Sequence, residues 1–238
     1  MIKAVLFDLD DTLVNHDLAI RKAAGILFDS VMPSSEHERK VFIERWISMN
    51  REWYKQFYAQ KVTFQESGRG KLRDAFSTYG YKFSVTDTDA MLSQYWECYL
   101  SQCRLFDDVS ECFARLRDYK VGVVTNGQQT QQIEKLKRCG IFSCIDVVVT
   151  AEAAGFAKPA PQIFLQACTE LGIQVDESVY IGDNLELDAI AARNVGLVGV
   201  WLNRLHDDLK NYSLDLQRIK RINILTELGV IINTLEEQ

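Results

Sequence analysis

The chain of 238 residues has only three prolines and three histidines. Scarce proline, alongside 47% hydrophobic and 25% charged residues, excludes a collagen-like repeat and an extended disordered chain. The six cysteines, at 98, 103, 112, 139, 144 and 168, form no C-x-x-C pair. No histidine stands where it would complete a zinc site, so free thiols are expected. No apolar run approaches the ~18 residues of a membrane span. The opening Met1–Asp8 runs straight into a strand-like block, without the longer apolar stretch and cleavage site of a signal peptide. These absences predict a cytoplasmic protein with no membrane partner. Positive charge is not in excess either: 27 Lys+Arg stand against 33 Asp+Glu, a net charge of -6, so no bulk field draws in a nucleic-acid backbone.

What is present is a repeating pattern of short Val- and Ile-rich blocks: Ile2–Phe7, Val121–Thr125, Ile145–Thr150, Ser178–Ile181 and Val198–Leu202. They read as buried strands of a parallel sheet. Helix-period segments at about 108–119, 128–139, 161–171 and 186–194 lie between them, the last two closed by Gly172 and Gly196 in C-cap positions. Alternation of this kind predicts a doubly wound α/β layout. Residues 16–103 break it: they contain no convincing strand, hold Trp46, Trp53 and Trp96, and read as helices near 17–31, 36–59, 64–79 and 87–101, with Pro33 and Gly80 as punctuation. The expected organisation is a core of residues 1–15 and 104–238 with an all-α insert at 16–103. Ile222–Leu235 reads as a short strand passing into a closing helix.

Ligands of open parallel sheets bind outside the carboxyl ends of the strands, so the polar residues after each block carry the chemistry. After the first block comes Asp8-Leu-Asp10-Asp11-Thr12; after the second, Thr125-Asn126-Gly127; before the helix opening at Pro161, Lys158-Pro159; after the fourth, Gly182-Asp183-Asn184, with Asp188 five residues beyond Asp183. Asp8 and Asp10, two apart, emerge on one side of an extended segment. Their repulsion suits either a divalent cation between them or a split into nucleophile and acid/base. Asp183 adds a third carboxylate, and an all-oxygen set suits Mg²⁺. Thr125-Asn126-Gly127 offers a hydroxyl and free amides for phosphate oxygens. Lys158 offers a cation against an anionic nucleophile and substrate. Taken singly, these strings also read as turns, helix caps and a solvated lysine.

In this order, each at the end of its own strand, the four motifs resemble the haloacid dehalogenase-like superfamily of hydrolases. The resemblance covers residues 1–15 and roughly 104–205, and the insert resembles that family's helical cap. It implies a Rossmann-like core, a Mg²⁺ cofactor and an aspartyl-phosphate intermediate. By position, Asp8 matches the nucleophile and metal ligand, and Asp10 the general acid/base that also lends its backbone carbonyl to the metal. Thr125 and Lys158 match the phosphate-binding pair, with Asn126 contacting the transferring group. Asp183 matches the acidic metal ligand and Asp188 the second acid of the fourth motif.

The implied reaction is hydrolysis of small soluble phosphate monoesters. Family members with this opening and a Thr-Asn-Gly second motif resemble nucleoside monophosphate phosphatases or N-acylneuraminate 9-phosphatases, so a nucleoside 5′-monophosphate or sugar phosphate is the expected substrate. Carbon–halogen cleavage is the alternative on the same fold. The second carboxylate at Asp10 speaks against it, because dehalogenases of the family lack it. Phosphonate cleavage would want a cap lysine; Lys22, Lys40, Lys55 and Lys61 read as surface charge. A phosphomutase stays open. A phospho-accepting receiver or binding module fits less well, in a chain this long that has kept all four motifs. The insert's tyrosines (54, 58, 79, 81, 95, 99) and tryptophans read as the core of a helical bundle rather than a stacking surface.

Overall fold

The Val- and Ile-rich blocks pair as expected of strands buried on both faces: in the computed structural model, β1 (Ala4–Phe7) is buried at every position. The structure describes residues 1–32, 36–59, 61–207 and 219–237. Pro33 and the side chain of Tyr58 lie outside the described part. Contacts divide the chain into two compact units, Met1–Asn15 with Arg104–Gln238, and His16–Cys103.

The first unit is a six-stranded parallel sheet flanked by helices, a Rossmann-like α/β fold. Its strands β1, β2 (Lys120–Thr125), β3 (Val147–Thr150), β4 (Ser178–Gly182), β5 (Val198–Leu202) and β6 (Lys220–Ile222) run in the order β3-β2-β1-β4-β5-β6. Phe7 pairs with Val123 on one side and Ile181 on the other. The order therefore reverses beside β1, the place where such sheets open a crevice for ligands. Leu6, Val124, Phe164 and Tyr180 belong to one buried cluster that packs a helix, Pro161–Leu171, onto the sheet. Pro161 occupies that helix's first turn, where no amide partner is lost, and Gly172 ends it at φ 64°.

Three helices differ from the expected spans. That expected at 108–119 covers only Val109–Ala114, because the amides of Arg115, Leu116 and Tyr119 turn back three residues to bring the chain into β2. That expected at 64–79 stops at Phe76 and ends as a 3₁₀ turn closed by Gly80 at φ 76°. That expected at 186–194 opens as a wide π turn, Leu185–Ile190, before continuing as Ala191–Val195.

The second unit is four helices: α1 (His16–Val31), α2 (Glu36–Tyr58), α3 (Phe64–Phe76) and α4 (Val85–Gln102). Thr63 and Glu66 form a reciprocal capping box at the start of α3, and Ser84 caps α4. Phe28, Phe42, Trp46 and Phe76 fill the interior, with Phe28 and Phe42 stacked at 4.7 Å. Of the tyrosines and tryptophans expected in that core, Trp46, Tyr95 and Tyr99 are buried, Trp53, Tyr54, Tyr79 and Trp96 are half-buried, and Tyr81 is exposed. Lys22, Lys40, Lys55 and Lys61 are exposed. The segments that leave and re-enter the first unit pair antiparallel: Asn15 donates to the Arg104 carbonyl at 2.9 Å and Phe106 to that of Leu13 at 3.0 Å. Among the described residues, no helix is long and apolar enough to cross a membrane. All six cysteines are free thiols.

Candidate active site

The sheet ladder ends one residue into the first motif. The Asp8 amide donates to the Ile181 carbonyl at 2.8 Å, and the chain then turns sharply, with the Leu13 and Val14 amides both returning to the Leu9 carbonyl. Asp11 takes φ 60°, a left-handed conformation that aspartate tolerates in tight turns. The turn delivers Thr12, whose hydroxyl accepts the Asp183 amide at 3.0 Å and lies 3.3 Å from Asp183 Oδ1 and 3.5 Å from Asp8 Oδ2. One buried hydroxyl thereby joins the ends of β1 and β4.

Lys158 enters from the loop before Pro161. Its ammonium donates to Asp8 Oδ1 at 2.6 Å, Asp188 Oδ1 at 2.7 Å and the Tyr180 hydroxyl at 3.0 Å. The loop is held by Asn126, whose side chain accepts the Lys158 amide at 2.7 Å and donates to the Lys158 carbonyl at 3.0 Å. Asn126 therefore ties the second motif to the third rather than pointing only toward a ligand. Asp188 reaches the site because Asn184 caps the π turn through the Glu186 and Leu187 amides, while the Asn184 amide donates to Asp188 Oδ2 at 3.0 Å. Gly182 makes this approach feasible: a Cβ there would lie 2.2 Å from the Asp188 carboxylate carbon.

Charge in this cluster is unbalanced. Burial, and then repulsion from Asp188, push Asp8 up to about 7 despite the Lys158 ammonium beside it. Burial and the Asp8 and Asp188 charges push Asp183 up to about 8. Burial works against the charge on Lys158, but Asp188 and Asp8 outweigh it and hold the ammonium well above the ordinary lysine range.

Asp10 faces different partners. Its Oδ1 is 2.5 Å from Lys135 Nζ and its Oδ2 accepts from Gln132 Nε2 at 3.0 Å. Both residues lie on helix Gln129–Arg138, three apart and hence on one face. Gln132 Nε2 also donates to the Thr125 hydroxyl at 2.8 Å, and that hydroxyl accepts the Gly127 amide at 3.3 Å. Asp8 and Asp10 thus have a lysine each. Among the lysines, motif spacing singles out Lys158; Lys135, Gln132 and Tyr180 lie outside the four motifs, and Thr12, inside the first, has no role assigned by sequence. The one available signal was the spacing of Gln132 and Lys135 in the helix that follows Thr125.

One carboxylate oxygen from each of Asp8, Asp183 and Asp188 lies within 4.8 Å of the others. Three carboxylates against one ammonium, in an all-oxygen donor set where burial and repulsion raise Asp8 and Asp183, fit a hard divalent cation. Asp188 is already engaged by Lys158 and the Asn184 amide, so Asp8 and Asp183 are the better-placed ligands. The Asp10 carboxylate is not in the cluster.

A family model described as haloacid dehalogenase-like hydrolase matches residues 2–196. The glyceraldehyde 3-phosphate phosphatase of Methanothermobacter thermautotrophicus is 28% identical over 242 residues, covering 96% of this chain and all of that protein. The human N-acylneuraminate-9-phosphatase is 28% identical over 230 residues, 85% of this chain and 83% of its own. Among solved structures, a Bacillus subtilis HAD-hydrolase, YfnB, solved bound to magnesium, superposes with a TM-score of 0.78 at 23% identity, covering 98% of this chain and 99% of that one.

Proposed function

The chain belongs to the haloacid dehalogenase-like hydrolases, and from that premise we propose that this phosphoric monoester hydrolase acts on small soluble phosphate monoesters through an aspartyl-phosphate at Asp8. The observation that carries the reading is the buried Lys158 ammonium on Asp8 with Asp10 held separately by Lys135. One carboxylate is thereby set apart for attack and the other for proton transfer.

In this reading Asp8 attacks phosphorus in line, forming a new O–P bond as the ester oxygen leaves. Asp10 donates a proton to that oxygen, and afterwards takes one from the water that opens the acyl-phosphate, returning Asp8 as a carboxylate. Lys158 and the Thr125 hydroxyl receive the non-bridging phosphoryl oxygens. Mg²⁺, held by Asp8, Asp183 and the Asp10 backbone carbonyl, with Asp188 behind them, would supply Lewis-acid neutralisation of the phosphoryl charge. Asn126 acts by fixing the Lys158 loop. The helical unit His16–Cys103 is read as the cap that sets which ester is accepted. The relatives named above, phosphatases of glyceraldehyde 3-phosphate and of an N-acylneuraminate 9-phosphate, support a small phosphorylated metabolite and favour a sugar phosphate over a nucleoside 5′-monophosphate.

The test is Mg²⁺-dependent phosphate release from p-nitrophenyl phosphate by wild type and Asp8→Asn, followed by a metabolite panel. Turnover that needs both the metal and Asp8 is expected. Undiminished turnover in folded Asp8→Asn would remove the nucleophile assignment.

A further inference from the structure

We infer that Lys135 and Gln132 are positioning residues for proton transfer: together they fix the plane of the Asp10 carboxylate and couple it to the phosphate-binding hydroxyl of Thr125. The inference rests on the reading of Asp10 as the acid/base and assigns that role two supports outside the four motifs.

Lys135 and Gln132 are 3% and 2% exposed, so burying them has a desolvation cost that a surface ion pair would not incur. Each takes a different oxygen of Asp10, Lys135 on Oδ1 and Gln132 on Oδ2. A carboxylate bonded through both oxygens cannot rotate about its terminal torsion without breaking one bond. Fixing that torsion is what a proton donor to a leaving oxygen requires, since misplacement by even an ångström is costly to transfer. Gln132 Nε2 bridges onward to Thr125 at 2.8 Å, so the acid/base and a phosphate ligand share one side chain.

Gly127 supports a built device. A Cβ at that position would fall 1.9 Å from Gln132 Nε2, so the second motif leaves room for this amide only by having glycine there. Asp8 has no part in the arrangement; its cation is Lys158. The helix after β2 therefore serves Asp10 and Thr125, while the Lys158 loop serves Asp8 and Asp188.

A purely structural pairing and a positioning role differ in how the rate depends on the leaving group. A displaced acid is missed most by esters whose leaving oxygen needs a proton, and least by those that depart readily as anions. The measurement is kcat/KM, which reports phosphoryl transfer to Asp8, across substituted phenyl phosphates from p-nitrophenyl to unsubstituted phenyl, for wild type, Lys135→Met and Gln132→Met. Folding of each variant is checked by thermal melting. In both variants phenyl phosphate is expected to lose about tenfold more than p-nitrophenyl phosphate, steepening the dependence on leaving-group basicity. Equal losses across the series, or none, would overturn the positioning role. Should Lys135→Met fail to fold, Gln132→Met decides in the same terms. A wild type that releases no phosphate from any ester would instead overturn the phosphatase reading itself, and the inference with it.

Discussion

The Lys158 ammonium lies 2.6 Å from Asp8 and 2.7 Å from Asp188, so one buried cation is divided between two buried carboxylates. Neither carboxylate is fully neutralised, and Asp183 sits close enough to feel both. A site of this kind is stable only in part on its own: it retains a standing demand for positive charge.

Removing Lys158 tests that demand. Lys158→Met should lower kcat by about 10²–10³-fold, as when a donor to the developing charge is lost. It should also destabilise the fold by about 3–5 kcal/mol near pH 8, because breaking a buried pair leaves its partner uncompensated. The loss should shrink toward pH 5, where Asp8 takes up a proton and the buried negative charge falls. Urea unfolding at the two pH values checks this, and a pH-independent loss would contradict it.

Metal removal makes a linked prediction. Asp8 and Asp183 are raised to about 7 and about 8, above the ordinary aspartate value. Between pH 4 and 8 the folded metal-free protein then binds more protons than the unfolded chain, so its stability falls as pH rises through that window. Mg²⁺ must displace those protons to bind. It should therefore raise the melting temperature more at pH 8 than at pH 5.5, and EDTA-treated protein should melt lower at pH 8 than at pH 5.5. Equal shifts at both pH values would argue against Asp8 and Asp183 as the metal's ligands.

Two glycines separate fold from site. A Cβ on Gly199 would lie 2.0 Å from the Ala189 carbonyl oxygen, a backbone atom that cannot move aside without shifting β5 from the π turn. A Cβ on Gly182 would meet the Asp188 side chain, which can swing away from Lys158. Gly199→Ala should thus lose more stability than activity, about 1–3 kcal/mol through overpacking, its loss of turnover being limited to what the displaced π turn imposes on Asp188. Gly182→Ala should lose more activity than stability. Unfolding curves beside phosphate release at a common temperature distinguish the two patterns.

The sheet was legible because buried parallel strands read as unbroken apolar blocks, and because chemistry collects after them. Val198–Leu202 and the helix Pro161–Leu171 have the spans expected from sequence, both bounded by glycine or proline signals. The π turn was not legible: Leu185–Ile190 has ordinary helical periodicity, and no residue type in it marks where the helix widens. Lys135 was hidden for another reason. It stands among Lys137 and Arg138 in a strongly charged helix, and sequence does not reveal which of those cations turns inward.

Lys71 was hidden in the same way and gives a prediction for the helical unit. It is 3% exposed, its ammonium lies 4.5 Å from the Trp46 ring and 4.9 Å from that of Tyr95, and it donates to Asn50 Oδ1 at 2.9 Å. No carboxylate among the described residues pairs with it, and burial lowers it to about 7. Its folded-state value is therefore below the unfolded one. Below pH 7 the charge is buried at full cost; from there toward pH 10 the unfolded chain holds the extra proton, and the contribution of Lys71 to stability rises with pH. Lys71→Met lacks this contribution. The unfolding free energy of the wild type should gain on that of the variant by about 2–3 kcal/mol between pH 6.5 and 9, since a proton held only by the unfolded chain is worth about 1.4 kcal/mol for each tenfold fall in proton concentration. Urea titrations of both proteins at the two pH values measure the difference, and parallel pH profiles would show that the Lys71 ammonium is solvated rather than enclosed by the rings.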